Sequence, residues 1–187
     1  MQLMVELEPT RTKPKHNYSK LDVLSSTECT NLIAKQINFL DYLFNCVSIN
    51  PTTTPITDTT DDYFTKLIDT NLRGTFNTTR ACIPCMHPGS AIVNVSSICG
   101  LQGLTKTLAA ELGPKGIRVN AVAPGPTDTQ TFAGNVKGSE RMEKDVEGIA
   151  LGRLGRAEEV ADVVVFLFRE GSSFVNGGVW EVHGGMK

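Results

Sequence analysis

No stretch of the 187 residues approaches the ~18 consecutive apolar residues of a membrane-spanning helix, so an α-helical span is excluded. The start, Met1-Gln-Leu-Met-Val-Glu-Leu-Glu-Pro9, has neither the basic region nor the unbroken apolar run of a secretory signal, which points to a cytoplasmic protein. Charge of one sign is not in excess either. Against 20 Asp and Glu stand 18 Lys and Arg, and a net charge of −2 gives no electrostatic reason to expect nucleic acid or an anionic membrane as partner. Cysteine is sparse and odd in number. Cys29, Cys46, Cys82, Cys85 and Cys99 fall in apparent helices and strands, which suits reduced, partly buried thiols rather than a disulfide framework. Cys82-Ile-Pro-Cys85 lacks a second ligand pair, and His16, His87 and His183 stand in no Glu-x-x-His or Ser-His-Asp arrangement, so no metal site is expected. Finally, no glycine precedes Gly74, which excludes a glycine-rich pyrophosphate turn from the first third of the chain.

What is present fits one soluble domain, with 40% hydrophobic and 20% charged residues. Residues 1–18, mixed in pattern and carrying Pro9, Pro14 and a basic set, read as a poorly ordered leader in which Leu3 to Leu7 could add an edge strand. Residues 19–187 read as a single domain. Ser25 and Glu28 have capping-box spacing ahead of a helix over 26–38, and 41–47 is a buried strand. Thr59-Thr60-Asp61-Asp62 starts a long helix to about residue 86, with Phe64, Leu67, Ile68, Leu72 and Phe76 as its apolar face. Strands at 91–95 and 117–123 flank a short helix at 104–112. An apolar helix at 157–168, with Val160, Val163, Val164 and Leu167 facing a core, precedes a last strand at 179–182. This alternation of β and α argues an α/β fold with a parallel sheet covered on both faces.

Ser90 to Gly125 is the centre of the pattern, because two β-rich runs there deliver small polar residues at their C-terminal tips, where open α/β sheets bind ligands. Asp69-Thr-Asn71-Leu-Arg-Gly74, Ile92-Val-Asn-Val-Ser96-Ser97, Arg118-Val-Asn-Ala-Val-Ala-Pro124-Gly125, Leu151-Gly-Arg-Leu-Gly-Arg156 and the closing Gly184-Gly185 follow one another in the order of known motifs. With these blocks the chain resembles the short-chain dehydrogenase/reductase family over roughly residues 20–187. The resemblance implies a Rossmann-type sheet, NAD or NADP as cofactor, and hydride transfer between a nicotinamide and a small-molecule carbonyl or alcohol. It assigns Ser97 to the substrate oxygen and Asn71, in a local distortion of its helix, to a proton relay. Asp22 falls on the adenine side of the cofactor, Asn45 on its floor, and Pro124, Gly125, Thr127 and Thr129 on the nicotinamide-side loop.

The same resemblance exposes two gaps. The family's acid/base pair is a Tyr-x-x-x-Lys on the helix after the serine strand, and a phenol serves near neutrality only with a cation beside it. This sequence has no tyrosine after Tyr63, and Lys106 has none four residues before it. The family's glycine loop is missing as well, and Asn45-Cys46-Val47-Ser48 stands where Asn-Asn-Ala-Gly would be. The expectation is an incomplete Rossmann-type sheet lacking the first two β-α units and part of the active-site helix, with its chemistry impaired. Two alternatives remain: a working oxidoreductase that acts in a homo-oligomer or with substitute residues, and a non-catalytic protein that binds an intact paralogue. The crossover through the join at Gly103 and Leu104 is expected to be barely long enough to span the sheet.

Overall fold

The computed structural model describes residues 2–6, 16–49, 55–96, 99–129 and 146–186. Its centre is a four-stranded, wholly parallel sheet of order β3-β4-β5-β8, made by β3 (Leu40–Asn45), β4 (Met86–Val95), β5 (Arg118–Pro124) and β8 (Val179–Val182). At the other end of the chain the backbones of β1 (Gln2–Glu6) and β2 (His16–Lys20) pair antiparallel in a separate two-stranded sheet, so this first strand does not edge the main sheet. A third pair, β6 (Thr127–Asp128) with β7 (Gly155–Arg156), fastens the segment after β5 to the start of the last helix.

Side chains alternate across β4. Ile92 joins one core with Ile33, Leu43, Leu108, Leu112 and Val119, whereas its neighbour Val93 joins Val122, Val164 and Leu167 on the opposite face. The first face is covered by α1 (Ser26–Gln36), α3 (Gly74–Cys82) and α4 (Cys99–Leu112), the second by α5 (Ala157–Phe168). Helices on both faces of a parallel sheet are the arrangement that the alternating sequence predicts.

Local chemistry sets the helix ends. Ser25 Oγ accepts the Glu28 N–H at 3.2 Å, while the Glu28 carboxylate reaches back to the Asp22 N–H rather than closing a box on Ser25. Thr60 Oγ1 caps α2 (Asp61–Ile68) through the Tyr63 N–H. The expected long helix is interrupted: one turn of π-helix, Asp69–Arg73, separates α2 from α3, and a short 3₁₀ turn, Ile83–Cys85, ends it.

Two expectations are corrected here. Phe64 and Phe76 are exposed, at 59% and 43%, and the buried stripe is instead Asn71, Thr75, Thr78, Thr79 and Cys82. The crossover after β4 is not short, because α4 starts at Cys99 and its 14 residues rise about 21 Å, enough to return past a strand of about 20 Å. Gly103 lies inside this helix, where a Cβ would meet nothing within 4 Å.

Candidate functional site

Because all four strands run the same way, Asn45, Val95, Pro124 and Val182 end on one edge of the sheet. What lies along that edge is a chain of buried amides and hydroxyls. Asn45 Nδ2 donates to Thr79 Oγ1 at 3.0 Å and to Asn94 Oδ1 at 2.9 Å, and Thr78 Oγ1 donates to Asn45 Oδ1 at 2.9 Å. Asn94 Nδ2 continues the chain to Thr105 Oγ1 at 3.0 Å. The network joins β3, α3, β4 and α4, and among the described residues no buried side-chain nitrogen or oxygen lacks a partner. Its amides are therefore committed to holding these elements in register.

Asn71 sits in the π-helical turn, 4% exposed. Its side chain clamps the backbone of Ile49, accepting the N–H at 2.8 Å and donating to the carbonyl at 3.0 Å. Six residues further along, Asn77 Nδ2 donates to the Val23 carbonyl at 2.9 Å. The polar stripe of the α2–α3 region thus ties the loop after β3, the end of β3 and the segment before α1 to one surface. Asn77, Thr78, Thr79, Asn94 and Thr105 were not singled out by sequence reasoning. For Thr78 and Thr79 the signal was present in the helical spacing of residues 71, 75, 78 and 79, but in polar residue types that mark a solvent face more often than a core.

The other predicted positions divide. Asp22 is exposed, and its Oδ1 accepts the Leu24 N–H at 3.0 Å in the turn that leads into α1. Asn45 is 4% exposed and spends its side chain inward on the network. Gly125 is required by packing: a Cβ there would lie 2.5 Å from His183 Cβ and 2.9 Å from its Cα, at the end of β8. Thr127 Oγ1 donates to the Gly125 carbonyl at 2.9 Å, tightening the turn after Pro124, and Thr129 follows β6 in the same segment. Ser97 lies outside the described residues. Its neighbour Ser96 is buried, with its N–H on the Val122 carbonyl at 2.7 Å. Lys106 is exposed on α4, on the next position to buried Thr105.

Beside the Pro124–Thr127 turn is a cleft of about 270 Å³, lined by Pro126, Leu151, Arg153, Glu159, Val182 and His183 among others. Its charges are satisfied within the wall. Arg153 grips Glu159 through two bonds of 2.8 and 2.7 Å, and Glu159 also accepts the Arg156 N–H that opens α5. The Arg153 side chain and the Arg156 backbone hold the Glu159 carboxyl down at about 2. His183 takes the Met186 N–H on Nδ1 at 2.9 Å, so its Nε2 carries the proton donated to Glu181 at 3.0 Å. Of the thiols, Cys82 lies in the core, where burial pushes it up to about 12 and makes it inert. Among the described residues no group of three His, Cys, Asp or Glu side chains could hold a metal ion, and no helix is long and apolar enough to cross a membrane.

The residues present do not form a dinucleotide cradle. Among the described residues β3 pairs on one side only, no glycine turn lies beside it, and half-buried Val47 and exposed Ser48 follow its end. The Asn45 amide and the Asp22 carboxylate, which the resemblance assigned to the cofactor, both have protein partners.

Known proteins carry the assignment of kinship. The profile of the enoyl-(acyl carrier protein) reductase family matches residues 4–187. The chain is 34% identical over 181 residues to trans-4-hydroxycyclohexanecarboxylate dehydrogenase of Sinomonas cyclohexanicum, covering 88% of this chain and 67% of that protein. It is 38% identical over 138 residues to the 3-oxoacyl-[acyl-carrier-protein] reductase FabG of Thermotoga maritima, covering 64% of this chain and 55% of that one. Among solved structures, a 3-oxoacyl-[acyl-carrier protein] reductase from Brucella melitensis superposes with a TM-score of 0.78 at 34% identity, over 89% of this chain and 70% of its own. The chain thus spans between about half and two thirds of the length of these curated relatives. With a parallel sheet covered on both faces, the Asn71 turn and the Pro124-Gly125 strand end in place, the chain belongs to the short-chain dehydrogenase/reductase family.

Proposed function

We propose that this chain keeps the sheet of an oxidoreductase of its family without that family's hydride-transfer activity. The family binds NAD or NADP and acts on small carbonyls and alcohols. The observation that supports an impaired member is the composition of α4. The residues it turns to the sheet are Leu101, Thr105, Leu108, Ala109 and Leu112, and no phenol stands anywhere after Tyr63 to exchange a proton. Asn71 and Ser97 are then the surviving members of a four-residue site.

Titration of the purified protein with NADH and NADPH, followed by turnover on a panel of carbonyl substrates, tests this. The expected result is no saturable binding and no turnover. Binding with turnover that Ser97→Ala abolishes would establish instead a working oxidoreductase with substitute residues. A second reading, a non-catalytic partner of an intact paralogue, is favoured by the outer edge of β3, unpaired among the described residues, which exposes Tyr42 at 51% and Phe44 at 42%. Co-purification with a defined intact relative, lost on Tyr42→Lys, supports it.

A further inference from the structure

At the opposite end of the sheet, away from the strand tips, β3 and β4 fall out of step. Leu40 pairs with Met86 and Tyr42 with Ala91, so two steps along β3 face five along β4. The segment opposite Asp41, His87-Pro88-Gly89-Ser90, forms a bulge that needs Gly89 at φ +99°, a region closed to most side chains. Polar contacts hold it. Ser90 Oγ takes the His87 N–H at 3.1 Å and donates to the Leu40 carbonyl at 2.9 Å, and the Gly89 N–H reaches the Gly116 carbonyl at 2.9 Å.

His87 closes the bulge onto β3. Its Nε2 lies 2.8 Å from Asp41 Oδ1 and its Nδ1 lies 3.0 Å from the Pro88 carbonyl. Both partners can only accept, so both bonds exist together only when both ring nitrogens carry protons. His183 is the internal contrast, since a backbone N–H occupies its Nδ1. We propose that His87 is a proton-controlled clasp at the start of the sheet: as an imidazolium it ties the bulged entry of β4 to the edge strand β3 through Asp41 with its ring fixed on the Pro88 carbonyl, and loss of one proton leaves one of these two acceptors without a donor and loosens that end of β3.

The hydrogen bonds to Pro88 and Asp41 raise the His87 pKa. Asp41 is the charged group in contact. The other titratable groups on neighbouring elements include Tyr42 beside Asp41 on β3, Arg118 opposite Ala91 on β5, the Cys85 thiol, bonded to the Ile37 carbonyl, Lys35 near the end of α1, and exposed Lys115 in the turn before Gly116. Because the folded value is raised, the clasp is fully closed below the ordinary imidazole value of about 6.5 and opens as pH rises through the folded value. β3 is where opening is felt, because among the described residues β4 is its one neighbour in the sheet.

The test is an NMR titration of His87, together with amide-exchange protection of residues 40–45, corrected for intrinsic rates, at pH 5.5 and 8. The expected results are a His87 pKa above the ordinary imidazole value of about 6.5 and a protection loss of at least threefold at the higher pH, confined to the Leu40 end. Asp41→Asn should lower the His87 pKa and flatten the protection profile. His87→Gln, which can donate to Asp41 at any pH, should remove the pH dependence without a global loss of protection. A His87 pKa at or below 6.5, or a protection profile unchanged in Asp41→Asn, would overturn the proposal.

Discussion

The two faces of this sheet both carry apolar cores, but one adds a polar layer at the strand ends. On one, α5 presses Val164 and Leu167 against Val93 and Val122, an apolar contact that is non-directional and tolerates small shifts. On the other, the α2–α3 stripe lays Asn71, Thr75, Thr78 and Thr79 toward the strand ends, where each hydrogen bond works in one register only. Both faces supply burial. The second also fixes which residues meet at the strand ends.

The contrast can be broken from either side, and the largest effect is expected on the apolar face. Leu167→Ala, at a fully buried site, should cost about 3–4 kcal/mol in chemical denaturation, from lost transfer energy and the cavity left behind. Asn94→Ala should cost about 2–3 kcal/mol with far less apolar area removed, because it strands the Asn45 amide and the Thr105 hydroxyl in the interior. Thr105→Val, which removes one hydroxyl and keeps the shape, should cost about 1–2 kcal/mol by leaving Asn94 Nδ2 without its acceptor. If Asn94→Ala proves neutral, the polar face is no more specific than the apolar one.

The smallest effect concerns the cleft wall at the start of α5. Glu159 is held down at about 2, chiefly by the Arg153 side chain, so the stability it contributes is complete above its unfolded value near 4.5 and disappears as pH falls toward 2. Thermal melts of wild type and Glu159→Gln should differ at pH 6 and converge by about pH 2. Both Arg153 and Glu159 are partly exposed, so salt should shrink the difference.

Legibility followed the chemistry of burial. The helix at Ala157–Phe168 and the strand at Val179–Val182 were readable to the residue, because apolar side chains recur at the period of their element. The Phe64 to Phe76 stripe obeys the same rule and misled, since the buried face is built from Asn71, Thr78 and Thr79, whose partners Ile49 and Asn45 lie 22 to 34 positions away. The start of α4 misled for a related reason. Gly100 and Gly103 weaken a helix locally, yet buried Leu101 anchors that turn in the interior. At the site, Asn71 and the Pro124-Gly125 turn were found through motif order, while the fact that Gly125 is demanded by His183 could not be read from residues 58 apart.

The sequence by itself determined the family, the parallel α/β sheet and the absence of a phenol after Tyr63, because motif order, apolar period and residue identity are properties of the chain alone. Only the tertiary structure decided that Asn45 and Asn94 face each other, that α4 runs unbroken past Gly103, and that both nitrogens of His87 meet acceptors. Hydrogen bonds act over about 3 Å, so they become visible only once folding has brought distant positions together.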